Sequence, residues 1–319
     1  MNTRRPGVNY HWKCRGIYNR SVTEKMLKIK KLICCTIFLL FVIYGWQVQA
    51  QSAEVWVFFR PDIPLHADTV NHLKNKTTEN LIFCPVGKTS LSFLESRPPA
   101  CAVVLGDAAQ ELALSMLWKV KILVTLLDQP ATDKRVVFLN TKQPVAKQMQ
   151  LLKTLRKNLE TVWYPYASER FAPDAALEEA ATSAGVTIKS SSLDNPRSLP
   201  AALRYLNLSS TAAILPPDPG IMNDAIIKAI LLASFRSHTP LAGFSDGMVR
   251  QGAAFAYVLR PERLAEAISE KIAEMVNDQH ALAPTSNFER WELILNATIL
   301  EKFNLVIPEE VRREAKKVY

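Results

Sequence analysis

The stretch from Ala212 to Tyr257, AAILPPDPGIMNDAIIKAILLASFRSHTPLAGFSDGMVRQGAAFAY, constrains this chain most, because it reads in order as strand, loop, helix, strand and loop. The apolar run AAILPP stops at a double proline and the acidic turn Asp218-Pro219-Gly220, a combination that halts a strand at its carboxyl end. From Ile221 to Phe235 the apolar residues Ile221, Ala225, Ile226, Ala229, Ile230 and Ala233 recur at helical spacing. Asn223 and Asp224 fall in the first turn, where acidic side chains suit the helix dipole. His238-Thr239-Pro240 ends the helix, and Leu241 to Phe244 reads as a second short strand opening into Ser245-Asp246-Gly247. Two consecutive strand ends that carry Asp-containing loops make a crevice of the doubly wound α/β kind.

Three segments carry a family resemblance: ILPPDPGIMNDA, then PLAGFSDGMVRQGAAFAYV, then the C-terminal ELILNATILEKFNLVIPEEV. Together they resemble the substrate-binding proteins of a bacterial ABC-transporter family with the type I periplasmic-binding-protein fold, some of whose members bind aromatic amino acids. The likeness is strong over the last third of the chain, looser in the middle and weakest at the start. It implies an α/β fold of two lobes, each a parallel β-sheet flanked by helices, joined by three hinge crossings. It also implies a periplasmic protein that closes on a small, amino-acid-like solute and hands it to an ABC permease in the inner membrane. A monomer is expected, with no cofactor, metal, nucleic-acid partner or catalytic activity, the last two on the charge and residue grounds given below. The alternative is an orphan relative that keeps the fold as an extracytoplasmic sensor or envelope interaction module. The short helix expected from His66 to Leu73 and the compressed segment after it, which make the first lobe look trimmed, favour that alternative.

The rest of the chain keeps a strand-helix-strand rhythm, which implies parallel sheet with right-handed crossovers. Strands are expected at Glu54–Phe59, Leu81–Cys84, Ala100–Leu105, Val120–Leu126 and Arg135–Leu139, and the polar passage Asn140 to Pro144 is the first crossing. Beyond it, Val145–Arg156 reads as a helix, Thr161–Tyr164 as a strand, Asp174–Ala184 as a helix and Gly185–Ile188 as a strand. The expected first lobe is 54–140 with 247–280, ending in a helix from Pro261 to Asp278. The expected second lobe is 144–246 with 285–319, and the polar run Gln279 to Asn287 is the third crossing.

A net charge of +9 would point to a nucleic-acid or membrane partner if it were spread evenly. It is not: residues 1–50 hold nine Lys and Arg against one acid, so residues 51–319 carry 30 bases and 29 acids. The basic signal belongs to a leader, not to a phosphate-tracking surface. Lys28, Lys30 and Lys31 precede the thirteen-residue apolar run Leu32 to Tyr44, and Val48-Gln49-Ala50 follows with small residues at signal-peptidase spacing. A membrane span needs about 20 apolar residues. Residues 26–50 are therefore read as a cleaved secretory signal, with 1–25 as an upstream extension and an uncleaved anchor as the competing reading. Export leaves Cys84 and Cys101 in the mature chain, either as one disulfide or as two small buried thiols.

Candidate ligand-binding residues are those at expected carboxyl ends of strands: Arg60, Gly106, Asp107, Tyr166, Asp218, Ser245 and Asp246. Tyr166 would enclose an apolar or aromatic ligand, Arg60 pair with a carboxylate, and Asp218 or Asp246 receive an ammonium group. Asp107 is read first as the cap of the helix that follows it, and second as a residue that sets ligand charge. Each is also an ordinary turn former, and only their shared position raises them. Catalysis has little support. His11, His66, His72, His238 and His280 are scattered, and there is no nucleophile elbow or dinucleotide fingerprint. Val86-Gly87-Lys88-Thr89 has the end of a phosphate loop without its first glycine.

Overall fold

The computed structural model describes residues 53–87, 98–117, 119–127, 129–208, 210–277 and 283–319. The expected leader lies outside them with Cys14, Cys34, Cys35 and His11, as do Lys88, Thr89 and His280. Strand β1 (Glu54–Phe59) shows how the first lobe is built. Val55 and Val57 pack on one face of the sheet with Val70 and Leu73 of α1 (Pro64–Leu73). Trp56 and Phe58 pack on the other with Ala109 and Ala113 of α2 (Asp107–Met116). A strand apolar on both faces belongs inside a parallel sheet covered by helices on both sides. β2 (Asn80–Pro85) and β3 (Cys101–Leu105) flank it in parallel, and β4 (Lys121–Thr125) and β5 (Val136–Asn140) extend the sheet beyond β3.

After Asn140 the chain crosses to α3 (Val145–Leu155), which opens the second lobe. There follow β6 (Thr161–Tyr166), α4 (Ala175–Ala184), β7 (Thr187–Ser192), the short α5 (Leu199–Ala202), β8 (Thr211–Ile214) and α6 (Asp224–Arg236). β9 (Leu241–Gly243), α7 (Asp246–Gln251) and β10 (Phe255–Val258) complete that run. Four of the helices, α4, α6, α7 and the later helix at Ala297–Lys302, start where a polar side chain takes up an orphan amide. Asp174 accepts from the Leu177 amide at 3.0 Å, Asn223 from Ala225 at 2.8 Å and Ser245 from Met248 at 3.2 Å.

The chain recrosses at Leu259-Arg260 into α8 (Pro261–Asn277), whose Leu264, Ile268, Ile272 and Met275 form one buried stripe against the first sheet. β11 (Thr285–Asn287) joins that sheet beside β5. The chain then crosses again through Phe288 to Trp291 and ends in β12 (Glu292–Leu295), α9 (Ala297–Lys302), α10 (Glu309–Glu314) and β13 (Lys317–Val318). The first sheet has the order β11-β5-β4-β3-β1-β2 and is parallel throughout. The second runs β13-β12-β10-β9-β8-β6-β7, with β6 to β10 parallel and the β12–β13 pair reversed.

Two expected lobe boundaries are corrected. Residues 255–258 lie in the second sheet between β9 and β12, so the recrossing comes after Val258, not after Asp246. Residues 285–287 lie in the first sheet, so the third crossing is Phe288 to Trp291. The reason is the same in both places. A short buried run such as Phe255–Val258 reads as strand in either sheet, and Thr-Ser-Asn at 285–287 has no apolar pattern and is a strand only because β5 pairs with it. The first lobe, which looked trimmed, carries a complete six-stranded sheet.

The two cysteines are free and buried. Cys84 lies opposite Phe58 and Cys101 opposite Val55, on the two flanks of β1 and on opposite faces of the sheet. Strands once removed stand about 10 Å apart, beyond the reach of a disulfide. Burial pushes the Cys84 thiol up to about 11, and burial with the charge of Glu79 pushes Cys101 up to about 12. Both are expected to resist iodoacetamide at pH 8 in the folded protein and to be alkylated fully once urea unfolds it. Fast alkylation under native conditions would contradict this placement.

Candidate functional site

All three crossings leave from carboxyl ends of strands: β5 at Asn140, β10 at Val258 and β11 at Asn287. The carboxyl edges of both sheets therefore abut one hinge, and a ligand gripped by both lobes belongs between those edges. Trp291 forms the apolar part of the hinge. Its ring packs against the buried clusters of both lobes, meets Phe288 edge-on at 5.4 Å, and donates Nε1–H to the Phe288 carbonyl at 2.8 Å. Around it runs a chain of ion pairs. Glu292 on β12 receives Arg260 at 3.2 Å and Arg263 of α8 at 3.4 Å, while Glu266 receives Arg263 at 3.0 Å and Arg290 at 3.4 Å. The hydrogen bonds from Lys76 and Arg263 hold the Glu266 carboxyl down at about 2. Lys147 of α3 reaches Glu289 at 2.9 Å, tying the second lobe to the third crossing.

On the first-lobe edge, Arg60 follows β1 but pairs with Asp62 of its own loop, Nε to Oδ1 at 3.1 Å. The hydrogen bond and charge of Asp62 raise the Arg60 guanidinium and the same bond lowers the Asp62 carboxyl. Gly106 follows β3 and occupies the N-cap position of α2 at φ 85°, a left-handed conformation that glycine adopts without strain. Its amide donates to the Thr125 carbonyl at 3.0 Å. A side chain there would also have no room: a Cβ would lie 2.8 Å from Cε1 and 3.5 Å from Nε2 of His66. Gly106→Ala is expected to cost about 2 kcal/mol, read from urea midpoints; an unchanged midpoint would show that the His66 ring moves away freely.

Asp107 does not cap α2. It is the first residue inside the helix, exposed, and α2 has no side-chain cap at all. The capping expectation fails because the helix begins one residue earlier than the polar side chain suggested, which leaves Asp107 only the favourable first-turn placement.

On the second-lobe edge, Tyr166 ends β6 half-buried, with its carbonyl accepting from the Leu193 amide at 2.6 Å. Asp218 is wholly buried. Its Oδ2 accepts the amides of Ala167 at 2.6 Å and Ser168 at 2.9 Å, and its Oδ1 accepts the Gly220 amide at 2.9 Å and the Ser168 hydroxyl at 3.4 Å. The carboxylate has no face left for an ammonium group, so its expected ligand role is corrected to that of a clamp between the loops after β6 and β8. Ser245 is used as the cap of α7. Asp246 accepts the Tyr319 hydroxyl at 2.5 Å, with Lys317 at 3.7 Å and Arg260 at 3.9 Å. That hydrogen bond, then the surrounding cations, hold its carboxyl below the usual range. Asp246 thus ties the C-terminal strand to the loop after β9.

Sequence reasoning missed two residues of the first-lobe edge. Leu126, immediately after β4, has a left-handed φ of 57° without being glycine, the kind of stored strain that gathers at ligand clamps. His66, in the first turn of α1, is 5% exposed. Its Nδ1 accepts the Arg60 amide at 3.4 Å and its ring reaches across the top of the sheet to Gly106. The small glycine after β3 was the visible signal; nothing local marks the histidine that fills the space over it.

The comparisons agree with this architecture. A family model described as ABC transporter substrate binding protein matches residues 120–319, more than half of the chain. No curated protein matches it. The chain is similar to an ABC domain from Streptococcus pneumonia in complex with L-Trp, at 18% identity over 83% of this chain and 100% of that one, TM-score 0.54. It is similar to a conserved domain protein from Vibrio cholerae at 17% identity, covering 84% and 100%, TM-score 0.56. It is also similar to the ligand-free, open structure of a substrate binding protein with adhesive properties from Clostridium difficile at 15% identity, covering 83% and 99%, TM-score 0.65. At such identities the likeness is one of fold, and it spans both lobes.

Proposed function

We propose, from the premise that this chain belongs to the ABC transporter substrate binding protein family, that it captures a small solute between the carboxyl edges of its two sheets outside the cytoplasmic membrane. It then presents the closed form to an ABC permease. The observation that carries this reading is the hinge: three crossings, all at carboxyl ends, with Trp291 seated in the cores of both lobes. Such a hinge permits closure about one axis while each lobe stays rigid. A solute touching both edges stabilises the closed form by its differential affinity, and the permease can read the difference in surface.

Tyr166 and the turns at Gly106 and Ser245 form the walls in this reading. Arg60, Asp218 and Asp246 support those walls through the partners described above. The role is binding, not turnover, and residues 26–50 direct export before it begins. The bound tryptophan of the streptococcal relative makes amino acids the first class to try.

The test is thermal melting of the purified protein against amino acids, small peptides, sugars and organic anions. A ligand at about a hundred times its dissociation constant adds about 2.7 kcal/mol of stability, and small-angle scattering of the same complex should show a smaller radius of gyration. A cooperative melt that no compound moves would overturn the reading.

A further inference from the structure

α6 turns one continuous stripe outward. Its exposed residues are Asp224, Ala225, Lys228, Leu232, Phe235 and Arg236, which helical spacing sets on one face about 20 Å long. The opposite face is packed into the second lobe through Ile230 and Leu231. Leu232 and Phe235 are 49% and 43% exposed. Met222 just before the helix, and Tyr205 and Leu208 at the 3-10 turn Leu203–Asn207 that packs beside it, enlarge the apolar surface. These are five of the seven exposed large apolar side chains among the described residues, so the exposure is a patch of the kind that marks an interaction site. Phe235 is fixed within it: its ring tilts against Phe303 at 6.2 Å and lies under the Lys302 ammonium at 5.6 Å. A ring held before contact loses little freedom on being covered.

The stripe is complementary to itself. A two-fold axis over Ile230 that relates two antiparallel copies of α6 sets Asp224 against Arg236 of the second copy, Ala225 against Phe235 and Lys228 against Leu232, so every exposed residue meets an exposed residue. The acid meets a base twice, the small Ala225 leaves room for the phenyl ring, and the Lys228 stem lies along Leu232 with its ammonium in water. The charged groups are available for this, because none of Asp224, Lys228 and Arg236 makes an ion pair or side-chain hydrogen bond among the described residues. A parallel pairing would instead set Asp224 on Asp224 and Arg236 on Arg236. An anionic membrane surface would meet Asp224 on the face it has to approach.

We propose that the outward face of α6 is the contact between two copies of this chain, paired antiparallel about a two-fold axis, in place of the monomer expected from the sequence. Such an isologous contact needs only one surface patch, and two helices packed near-antiparallel interdigitate their ridges at about 20°. α6 covers a face of the second sheet and not its carboxyl edge. The pair therefore leaves both clefts open, and the inference stands whatever solute the clefts take. A contact built on one helix pair lies at the low end of specific interfaces, under about 1,200 Å² in total, so the dimer is a weak one with a dissociation constant on the order of 10 µM.

Sedimentation velocity of the purified protein from about 1 to about 300 µM should pass from monomer to dimer. Leu232→Lys puts like charges opposite each other twice and should weaken the dimer about tenfold or more; the site is exposed, so its urea midpoint should stay where it was. Asp224→Arg alone and Arg236→Asp alone should each weaken the dimer, and the two together should restore it to within about threefold. Lys228→Cys and Leu232→Cys proteins, mixed and mildly oxidised, should cross-link faster than either alone, because the two positions face each other across the axis. A protein that stays monomeric over the whole concentration range overturns the proposal, as does a dimer that Leu232→Lys leaves unchanged. Charge reversals that fail to compensate, or cross-linking no faster in the mixture, overturn the antiparallel pairing. Binding to phosphatidylglycerol vesicles that Leu232→Lys tightens, without self-association, would give the face to a membrane and sink the dimer.

Discussion

Replacing Asp218 by alanine should lower the stability of this protein by about 3 kcal/mol or more. The carboxylate is wholly buried and satisfies the amides of Ala167, Ser168 and Gly220. Each buried N–H left without an acceptor costs about 1–3 kcal/mol, and three are released together, offset in part by water entering the gap. Asp218→Asn should cost nearly as much as alanine, because Oδ2 serves two amides and the amide nitrogen of asparagine would turn a donor toward donors. Urea midpoints measure both. A ligand contact would behave in the opposite way, with affinity lost and the midpoint unchanged. That outcome would restore Asp218 to the list of solute-binding groups.

Trp291→Ala should cost about 3 kcal/mol, the lower end for a large aromatic because the ring is half-buried. Its consequence for mechanism is larger than the figure. Trp291 packs against the cores of both lobes, so its removal weakens the contact through which one lobe senses the folding of the other. The calorimetric enthalpy should then exceed the van't Hoff enthalpy, as separate transitions appear in place of a single cooperative one. Trp291→Phe keeps one aromatic ring in place while losing the donor to the Phe288 carbonyl and part of the indole's packing; it should cost about 1–2 kcal/mol and leave the melt cooperative. A single transition at an unchanged temperature in the alanine variant would place the coupling elsewhere. The ion pairs around Glu292 and Glu266 would then be next, although each part-exposed pair is worth only about 0–1 kcal/mol.

The sequence was informative where a local pattern and a backbone requirement coincide. The strand-turn-helix passage around Asp218 is recognisable from its prolines and apolar period, and β8, α6 and β9 lie where that passage predicts them. Gly106 was legible as a turn. Its second requirement, room for the His66 ring, was not, because the ring arrives from a helix forty residues earlier on the other face of the sheet. Asp218 was found at the right loop and given the wrong task, and the Tyr319 partner of Asp246 was not visible at all. A carboxylate at a strand end looks the same in sequence whether it faces a solute or holds three amides, and only the path of the neighbouring loop decides between them.

By itself the sequence determined that this is an α/β protein built on parallel sheet, since apolar periodicity, caps and turns act within a few residues of one another; its division into two lobes was what the family resemblance implied. The sequence also located the family signal in the later part of the chain, where the family model matches. The tertiary structure alone decided which sheet takes β10 and β11, why the two thiols stay apart, and which edge residues are free. Those outcomes depend on strand pairing and burial between segments far apart in the chain: Asp246 with Tyr319, Arg263 with Glu292, His66 with Gly106. Long-range contacts of this kind leave no periodic trace in a single sequence, because either partner is chemically ordinary until the other stands beside it.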